Sequence, residues 1–502
     1  MTTLFSEDLQ NDPELPAFRP EARAPRGFAD KRARDLRAER AILEAVSAVY
    51  ERYGFEALDT GAFEYADALG KFLPDSDRPN EGVFALQDDD DQWMALRYDL
   101  TAPLARFAAQ GWETLPKPFR RYAFGPVWRN EKPGPGRFRQ FIQCDADTVG
   151  SARPEADAEI IAMAVEGLEA AGLPRGAAVL KINNRKLLDG LFEYCNVVDP
   201  RQRLTAMRAI DKLDRLGWNG VKDLLGERRV DESGDITPGA CLPINAIDWI
   251  GQFLNAGNAG RSRLALLDTL GGFNMETPAF IEGLNDLEKI GAALTSLGVA
   301  DDQALIDTSI VRGLEYYTGA VFEAELLLST TDEKGNKVSF GSIGGGGRYD
   351  DLVARFTGTA TPATGFSFGV TRLAAALRAA GREPGGVARG PVVVITFDQA
   401  HMGEYFSVVG QLRAAGIPAE VYLGTSGMKP QMKYADRRGA PAVVMLGGDE
   451  IAAGTVTIKD LDAGRMAAEG VTDNAAWKAE RPGQQTIPRG QLVAAVQKII
   501  GG

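Results

Sequence analysis

The stretch that decides the fold runs from Pro118 to Gly150 and reads PFRRYAFGPVWRNEKPGPGRFRQFIQCDADTVG. Its two ends, PFRRYAFGPVWRNE and GRFRQFIQCDADTVG, are rich in the aromatic and β-branched residues that favour strands. The segment between them, KPGPG, combines proline and glycine as turns do. We therefore predict two antiparallel strands joined by this turn.

The sequence on either side of this hairpin predicts helices and further strands. Apolar residues recur at helical spacing over residues 30–53, and PEADAEIIAMAVEGLEAAGL predicts a helix opened by Pro154. VFALQDDDDQWMALRYDLT predicts a second hairpin, whose turn at Asp88–Asp91 is interpreted as solvated rather than metal-binding. Strand-like residues return at 305–325 and 338–347, and a helix is predicted around 370–381.

Five segments follow from these patterns. Residues 1–24 form a polar lead-in, and residues 25–184 and 303–380 form one mixed α+β domain. Residues 185–302, rich in leucine, alanine and charge, interrupt it as a mostly helical insertion. GREPGGVARG, at 381–390, has the composition of a linker. In residues 391–502 strands alternate with helices, which predicts a small α/β domain with a largely parallel sheet.

Composition excludes several kinds of chemistry. The single histidine, His401, rules out metal sites with several histidines, and a Ser-His-Asp triad could use no other residue. The three cysteines are far apart in the sequence, which disfavours a disulfide framework and fits a reducing cytoplasm. A net charge of −13 argues against indiscriminate nucleic-acid binding. No apolar run approaches the roughly 20 residues of a membrane helix, so no membrane association is expected.

Arginines and glycines supply the candidate chemistry. Arg129 and Arg137 flank the turn of the hairpin, where their planar side chains could bind phosphate, although cross-strand ion pairs are the alternative. Gly344–Asp350, GGGGRYD, could bring backbone close to a ligand or form a flexible loop. It lacks the Lys-[Ser/Thr] ending of a P-loop. Arg372, early in a predicted helix, could face a nucleotide or simply lie on the surface.

Two further motifs suggest binding of a small polar ligand. Arg312–Gly319, RGLEYYTG, places paired tyrosines beside an arginine, which could wall a pocket or belong to a strand edge. In LRYDLTAP, Asp99 and Thr101 would share one face of a strand and could together bind an ammonium group. The alternative is that both residues cap the start of a helix.

Taken in order, these motifs resemble the histidyl-tRNA synthetase family of class II over nearly all of residues 25–502. The resemblance rests on LRYDLT, RNE, GRFRQF, QCDAD, RGLEYYTG, GGGGRYDDL and GFSFGVTRL. It implies an antiparallel-sheet catalytic domain with a helical insertion and a C-terminal α/β anticodon-binding domain. It also implies ATP-dependent activation of L-histidine to an adenylate, followed by transfer to histidine tRNA, with Mg²⁺ on the pyrophosphate.

The resemblance also implies residue roles. For histidine, Asp99 and Thr101 would hold the α-ammonium, and Asp147 and Tyr317 would contact the imidazole nitrogens. The whole histidine-binding set is Asp99, Thr101, Arg129, Gln143, Asp147, Arg312, Tyr316 and Tyr317. The ATP-binding set is Arg129, Glu131, Arg137, Phe141 and Arg372. Arg312 and Arg129 would act at the reacting phosphate, and no protein side chain is assigned to a metal.

We expect three side chains of the C-terminal domain to contact tRNA phosphates. Lys429, Lys433 and Arg437 are four residues apart, so they would share one face of a predicted helix. The alternative is a solvated helix with no ligand. Partners are expected to be L-histidine, histidine tRNA and a second copy of the chain in a cytoplasmic homodimer.

The sequence departs from the family pattern at two places. Gly61 stands where motif 1 usually has proline, so the dimer interface there is expected to differ. The turn Gly134–Gly136 lacks polar side chains, which predicts weak dependence on the extra 5′ guanosine of histidine tRNA. Two alternatives stay open: the synthetase-like regulatory subunit of histidine biosynthesis, and a class II synthetase for glycine, proline or threonine.

Overall fold

The computed structural model describes residues 20–72, 82–133, 138–231, 233–257, 262–311, 317–328, 330–331, 337–338, 341–386, 389–463 and 483–501. The chain divides into two compact units between Gly385 and Gly386.

The first unit contains both strands and helices. Its strands are β1 (Glu56–Ala57), β2 (Phe63–Tyr65), β3 (Ala85–Gln87), β4 (Trp93–Leu96), β5 (Phe119–Trp128), β6 (Gln140–Val149), β7 (Ala178–Asn184), β8 (Arg228–Val230), β9 (Ile236–Pro238), β10 (Ala304–Ile306), β11 (Ala320–Leu326), β12 (Thr330–Thr331), β13 (Lys337–Val338), β14 (Ser342–Arg348) and β15 (Ala363–Gly369). Its helices are α1 (Ala33–Arg52), α2 (Thr101–Gly111), α3 (Pro154–Ala170), α4 (Arg185–Tyr194), α5 (Pro200–Ile210), α6 (Leu213–Leu225), α7 (Ile244–Ala256), α8 (Arg263–Gly271), α9 (Pro278–Ser296), α10 (Ala354–Thr357) and α11 (Val370–Ala379).

A sheet of eight strands, in the order β1-β5-β6-β15-β14-β11-β7-β10, forms the centre of this unit. β5 and β6 pair antiparallel from Phe119 opposite Val149 to Trp128 opposite Gln140, which confirms the predicted hairpin. The six central strands, β5, β6, β15, β14, β11 and β7, pair antiparallel with one another. At the two edges of the sheet, β1 pairs parallel with β5 and β10 pairs parallel with β7. The predicted α+β class with an antiparallel sheet is confirmed.

Helices α1 and α3 cover one face of the sheet. Both lie where their apolar spacing predicts them, and Pro154 opens α3. Their buried side chains belong to the same hydrophobic cluster as Cys144 and Ala146 of β6. Because successive residues of a strand point to opposite faces, the odd-numbered residues of β6 lie on the other face. That face carries the polar groups described below.

The helical block formed by α4 to α9 shares its core with the sheet. Phe192, Phe253 and Phe280 of this block are buried in the same cluster as the residues under the sheet. Helix α9 packs against α4 inside the block and against α3 outside it. Strands β8 and β9 form a small antiparallel hairpin. Burying one such aromatic side chain stabilises a fold by roughly 1.5–3 kcal/mol, so the block adds to the stability of the sheet.

The acidic run between β3 and β4 forms the predicted turn. The Asp88 carboxylate accepts hydrogen bonds from the backbone N–H groups of Asp90 (3.0 Å) and Gln92 (2.8 Å). The left-handed residue of the turn is Asp91, at φ 59°. The Asp88 carboxylate is therefore hydrogen-bonded to the backbone of its own turn, which agrees with the predicted turn.

The second unit is an α/β domain. Its strands are β16 (Val392–Ile395), β17 (Ala419–Val421), β18 (Ala442–Met445), β19 (Thr455–Asp460) and β20 (Gln484–Pro488). Its helices are α12 (Met402–Ala414), α13 (Met428–Arg437), α14 (Gly448–Ala453) and α15 (Leu492–Ile500).

The sheet of the second unit is mixed, in the order β17-β16-β18-β19-β20. β17, β16 and β18 are parallel, whereas β19 and β20 are antiparallel to their neighbours. The prediction of a largely parallel sheet is therefore wrong for the last two strands. The connection from β18 to β19 spans only residues 446–454 and ends at Gly454 in left-handed conformation. It is shorter than the dozen or so residues that a parallel crossover needs.

Among the helices that the structure describes, none is both long and apolar enough to cross a membrane.

Candidate functional site

The candidate site lies on the sheet face that points away from α1 and α3. One row of residues crosses this face, because Arg121 pairs with Asp147, Asp147 with Gly365, and Gly365 with Gly347. Two residues further along β6, Asp145 begins the next row. The hairpin thus presents charged groups, and the strands beside it present glycines.

Arg121 and Asp147 form an enclosed ion pair. Arg121 is 0% exposed and Asp147 is 2% exposed, and the Nη2 and Oδ2 atoms lie 3.0 Å apart. The same guanidinium donates to the carbonyl of Leu100 (2.8 Å), and the hydroxyl of Tyr349 donates to Asp147 Oδ1. Burial raises the pKa of Asp147, whereas Arg121 and the Tyr349 hydrogen bond lower it. The Asp147 carboxyl is therefore held in one orientation.

Asp145 adds a second enclosed carboxyl group to this face. It is 2% exposed, and burial together with the charge of Asp147 raises its pKa to about 8, while Arg121 and Ser367 lower it. Within the described part of the chain its Oδ1 atom has no hydrogen-bond partner. This enclosed carboxyl oxygen is therefore available to accept a hydrogen bond from a ligand.

Gln143 lies one further step along β6. Its Nε2 atom donates to the hydroxyl of Ser367 on β15 (2.8 Å), which fixes the amide plane. Its Oε1 atom is buried and accepts no hydrogen bond from any residue that the structure describes. A ligand with N–H or ammonium donors is the complement that these acceptor oxygens of Gln143 and Asp145 require.

Asp99 and Thr101 lie at the start of α2, not in a strand. The Asp99 Oδ1 atom accepts hydrogen bonds from the backbone N–H groups of Thr101 (3.1 Å) and Ala102 (2.9 Å). The predicted shared strand face is therefore wrong, and the capping alternative is the one observed. The charge of Asp99 raises the pKa of both Asp145 and Asp147, which places it near these carboxyl groups.

The four-glycine run forms strand β14 rather than a loop. A Cβ atom on Gly347 would lie 2.8 Å from the Tyr317 ring, and one on Gly365 would lie 1.9 Å from Asp147 Oδ1. Glycine is needed at both positions because side chains of the site occupy the space above them. Tyr317 consequently lies over Gly347, on the same face as Asp147.

Arg129, Glu131 and Phe141 meet around Tyr98. The guanidinium carbon of Arg129 is 4.3 Å from the ring centre of Tyr98 and 5.2 Å from that of Phe141. The hydroxyl of Tyr98 donates to Glu131 Oε1 (3.0 Å), and burial raises the pKa of Tyr98 to about 12. A cation between two aromatic rings suits a nucleotide, which carries both anionic phosphates and a flat base.

Arg372 lies in the first turn of α11, and its Nη1 atom donates to the carbonyl of Ser342 (2.8 Å). The preceding residue, Thr371, accepts a hydrogen bond from the backbone N–H of Ile142 (3.1 Å). Arg372 therefore lies beside the end of β6 that carries Phe141. Three further predicted site residues, Arg137, Arg312 and Tyr316, fall outside the described residues.

The site also contains four residues to which the sequence motifs assign no role: Arg121, Asp145, Tyr349 and Tyr98. Two of them could have been found by extending the predicted hairpin. Alternation along β6 puts Asp145 on the face of Gln143 and Asp147, and the register of β5 places Arg121 opposite Asp147. Tyr349 lies in the quoted motif GGGGRYDDL, but nothing local shows that it contacts Asp147, which is 202 residues away in the sequence.

Lys429, Lys433 and Arg437 all lie on α13 and are exposed, whereas Gln431 and Ala435 of that helix are buried. The three side chains therefore share the exposed face of α13, as predicted. Among the described residues there is no group of three or more histidine, cysteine, aspartate or glutamate side chains that could hold a metal ion.

Comparison with known proteins gives the family. A histidyl-tRNA synthetase family model matches residues 27–373, and an anticodon binding domain model matches residues 391–499. The chain belongs to the histidyl-tRNA synthetase family. It is an aminoacyl-tRNA synthetase of class II and hence a ligase, which confirms the resemblance drawn from the sequence motifs.

Relatives of this synthetase resemble it over almost the whole chain. The histidine–tRNA ligase of Caulobacter vibrioides is 84% identical over 496 residues, which is 98% of this chain and 100% of the relative. That of Cereibacter sphaeroides is 53% identical over 497 residues, covering 96% of this chain and 98% of the relative.

Solved structures show the same fold. The histidyl-tRNA synthetase from Nostoc sp. PCC 7120 is 29% identical with a TM-score of 0.70, and the match covers 96% of this chain and 100% of that chain. A Bacillus halodurans protein described as an ATP phosphoribosyltransferase regulatory subunit/histidyl-tRNA synthetase shares the fold at 20% identity and a TM-score of 0.65. That match covers 85% of this chain and 99% of that chain.

Proposed function

We propose that this synthetase activates L-histidine with ATP to form histidyl-adenylate and pyrophosphate, and then transfers the histidyl group to the 3′ end of histidine tRNA. The observation that carries the proposal is the polar face of β5 and β6. The oriented carboxylate of Asp147 and the acceptor oxygens of Asp145 and Gln143 lie towards one end of that face. A cation between aromatic rings lies at the other.

Histidine is recognised through both ring nitrogens and the ammonium group. Asp147, oriented by Arg121 and Tyr349, accepts a hydrogen bond from one imidazole nitrogen, and the hydroxyl of Tyr317 serves the other. Asp99 and Thr101 hold the α-ammonium, Gln143 lines the pocket, and Tyr316 walls it. A site built from such polar groups rejects isosteres without them by roughly 10⁴-fold or more.

Activation is an in-line attack of the histidine carboxylate on the α-phosphorus of ATP. A new carboxyl–phosphorus bond forms while the bond to the bridging oxygen breaks, and pyrophosphate leaves. The carboxylate is already ionised at neutral pH, so the step needs no protein base. Positioning two anions and neutralising their charge is the task, and arginines are suited to it. The residues assigned to it are Arg129, Arg137, Arg312 and Arg372.

The adenine end of ATP is assigned to Glu131, which accepts a hydrogen bond from Tyr98, and to Phe141, which lies against the guanidinium of Arg129. Mg²⁺ is expected on the phosphate oxygens, where it supplies positive charge to the departing pyrophosphate. In the transfer step the terminal ribose hydroxyl of tRNA attacks the adenylate carbonyl and AMP leaves. The phosphate of the adenylate itself takes the proton.

The remaining assignments concern the rest of the molecule. We propose residues 25–184 and 303–380 as the catalytic domain, 185–302 as an insertion, 381–390 as a linker and 391–502 as the anticodon-binding domain. Residues 1–24 are a polar lead-in. Lys429, Lys433 and Arg437 contact tRNA phosphates, and the enzyme works as a cytoplasmic homodimer.

Exchange of labelled pyrophosphate into ATP tests the activation step. We expect exchange that depends on histidine and is lost in Asp147→Ala. Exchange supported by another amino acid would make the chain a sibling synthetase. An absence of exchange with all amino acids would favour the regulatory subunit.

A further inference from the structure

The hydroxyl of Thr371 joins three elements at the nucleotide end of the site. It accepts hydrogen bonds from the backbone N–H of Ile142 (3.1 Å) and from Lys31 Nζ (3.2 Å), and it donates to Glu39 Oε1 (2.7 Å). A hydroxyl has one hydrogen to donate and two lone pairs to accept with. Its full capacity is therefore used, and its position is fixed from three sides.

This hydroxyl continues the sheet where the backbone no longer can. The last backbone pair between β15 and β6 is Gly369 with Gln143, and β15 then turns into α11 at Val370. The N–H of Ile142 lies one residue beyond that pair. Because α11 cannot offer it a strand carbonyl, the side chain of Thr371 accepts the hydrogen bond instead.

The other two partners connect this point to helix α1. Lys31 and Glu39 form an ion pair with Nζ and Oε1 2.6 Å apart, and the Glu39 side chain is 8% exposed. An enclosed carboxylate is stable only with partners that satisfy it, and Lys31 and Thr371 are the two that contact Oε1. The start of α11 is thereby tied to α1 as well as to β6.

We infer that Thr371 is a positioning residue for ATP, which sets the distance between Phe141 and Arg372 and so the width of the adenine site. The inference rests on the proposed function, because that function assigns these two side chains to the nucleotide. Ile142 follows Phe141 directly and Arg372 follows Thr371 directly. The hydrogen bond between Ile142 and Thr371 therefore directly connects the residues next to Phe141 and Arg372.

Thr371→Val, which keeps the shape of the side chain and removes the hydroxyl, is the test. We expect the KM for ATP in histidine-dependent pyrophosphate exchange to rise about tenfold, the effect of losing one or two buried hydrogen bonds. The KM for histidine should stay within about twofold, and Thr371→Ser should restore the KM for ATP. A purely structural role would move both KM values together and would not distinguish the two substrates.

Thr457→Val is the matched control. Thr457 is a buried threonine of the second unit that donates to Glu450 Oε1 (3.1 Å), so its loss lowers stability without reaching the nucleotide. We expect the KM for ATP to be unchanged in this variant. If Thr371→Val folds poorly, Glu39→Gln weakens the acceptor of the Thr371 hydroxyl without leaving an enclosed carboxylate unpaired, and a smaller rise in the KM for ATP is expected.

A direct measurement separates this inference from the proposed function. The Kd for ATP without histidine, from calorimetry on wild type and Thr371→Val, should differ about tenfold even if histidine proves to be the wrong amino acid. Equal ATP affinities in folded Thr371→Val and wild type would overturn the inference. Absence of histidine-dependent exchange in wild type, with the affinity difference intact, would overturn the proposed function alone.

Discussion

Arg121 and Asp147 are each stable inside the protein only because of the other. Removing two charges from water costs several kcal/mol per ion, and close pairing with further hydrogen bonds offsets that cost. Here the further bonds come from Leu100 and Tyr349. The pair thus connects stability with the proposed recognition of histidine through one carboxylate.

Arg121→Met leaves the Asp147 carboxylate enclosed without a cation. We expect the free energy of unfolding to fall by about 3–5 kcal/mol, measured by urea denaturation. Arg175→Met is the control, because Arg175 pairs with Asp302 at the protein surface, where such pairs contribute about 0–1 kcal/mol. Equal losses in the two variants would show that the enclosed pair has no special role.

Asp145 makes stability depend on pH in the direction opposite to most carboxyl groups. Its folded pKa of about 8 lies above the ordinary aspartate value of 3.8, so the folded state binds the proton more tightly than the unfolded state. The stabilisation is complete below the unfolded pKa and is lost as pH rises through 8.

Asp145→Asn, which resembles the neutral acid at every pH, should remove this dependence. Between about pH 4 and pH 8 we expect the free energy of unfolding of the variant to rise relative to that of wild type by up to about 1.4 kcal/mol per pH unit, with no further rise above that range. Unfolding curves at several pH values provide the measurement. A difference between the two proteins that stays constant with pH would contradict the assigned titration.

At the scale of elements, local pattern predicts much of the fold. Helical spacing predicts α1 and α3, and strand composition predicts the hairpin of β5 and β6. It is ambiguous for Leu96–Pro103, since aspartate and threonine fit both a strand face and a helix start. It predicts a strand over residues 338–347, which β14 confirms, but it does not explain the four glycines, because glycine has no intrinsic strand preference. Only the side chains of other strands show why glycine is required there.

Gly365→Ala tests this use of glycine. The added methyl would lie 1.9 Å from Asp147 Oδ1, so the carboxylate must leave the orientation set by Arg121 and Tyr349. We expect the KM for histidine in pyrophosphate exchange to rise at least about tenfold, as when a recognising group is lost.

Gly271→Ala is the control, since its methyl would meet only Leu284, at 3.9 Å. An unchanged KM for histidine in Gly365→Ala would show that Asp147 does not need its present orientation.

At the scale of the molecule, alternating strands and helices predict an α/β unit after the linker but not its strand directions. Sequence alternation does not report whether a connection is long enough to cross the sheet, and the short segment before β19 decides that. The site residues depend still more on distant contacts. The family motifs indicate Asp147, whereas its partner Arg121 comes from β5 and its partner Tyr349 directly follows β14.

The exposed face of α13 provides a prediction for the second unit. Charge reversal at Lys433 and Arg437 should raise the KM for tRNA in aminoacylation, because each lost phosphate contact weakens binding. Pyrophosphate exchange without tRNA should be unaffected. Lys498→Glu, an exposed lysine on α15, is the control. If exchange slows as much as aminoacylation, the assigned role of this face is wrong.

The glycines under the candidate pocket have a consequence for drug resistance. An inhibitor that lies flat on β14 and β15 would contact backbone atoms at Gly347 and Gly365, which no codon change can remove. Every replacement there adds atoms that collide with Tyr317 or Asp147. A mutation that weakens binding of such an inhibitor would therefore also weaken the proposed binding of histidine, and resistant cells would grow poorly.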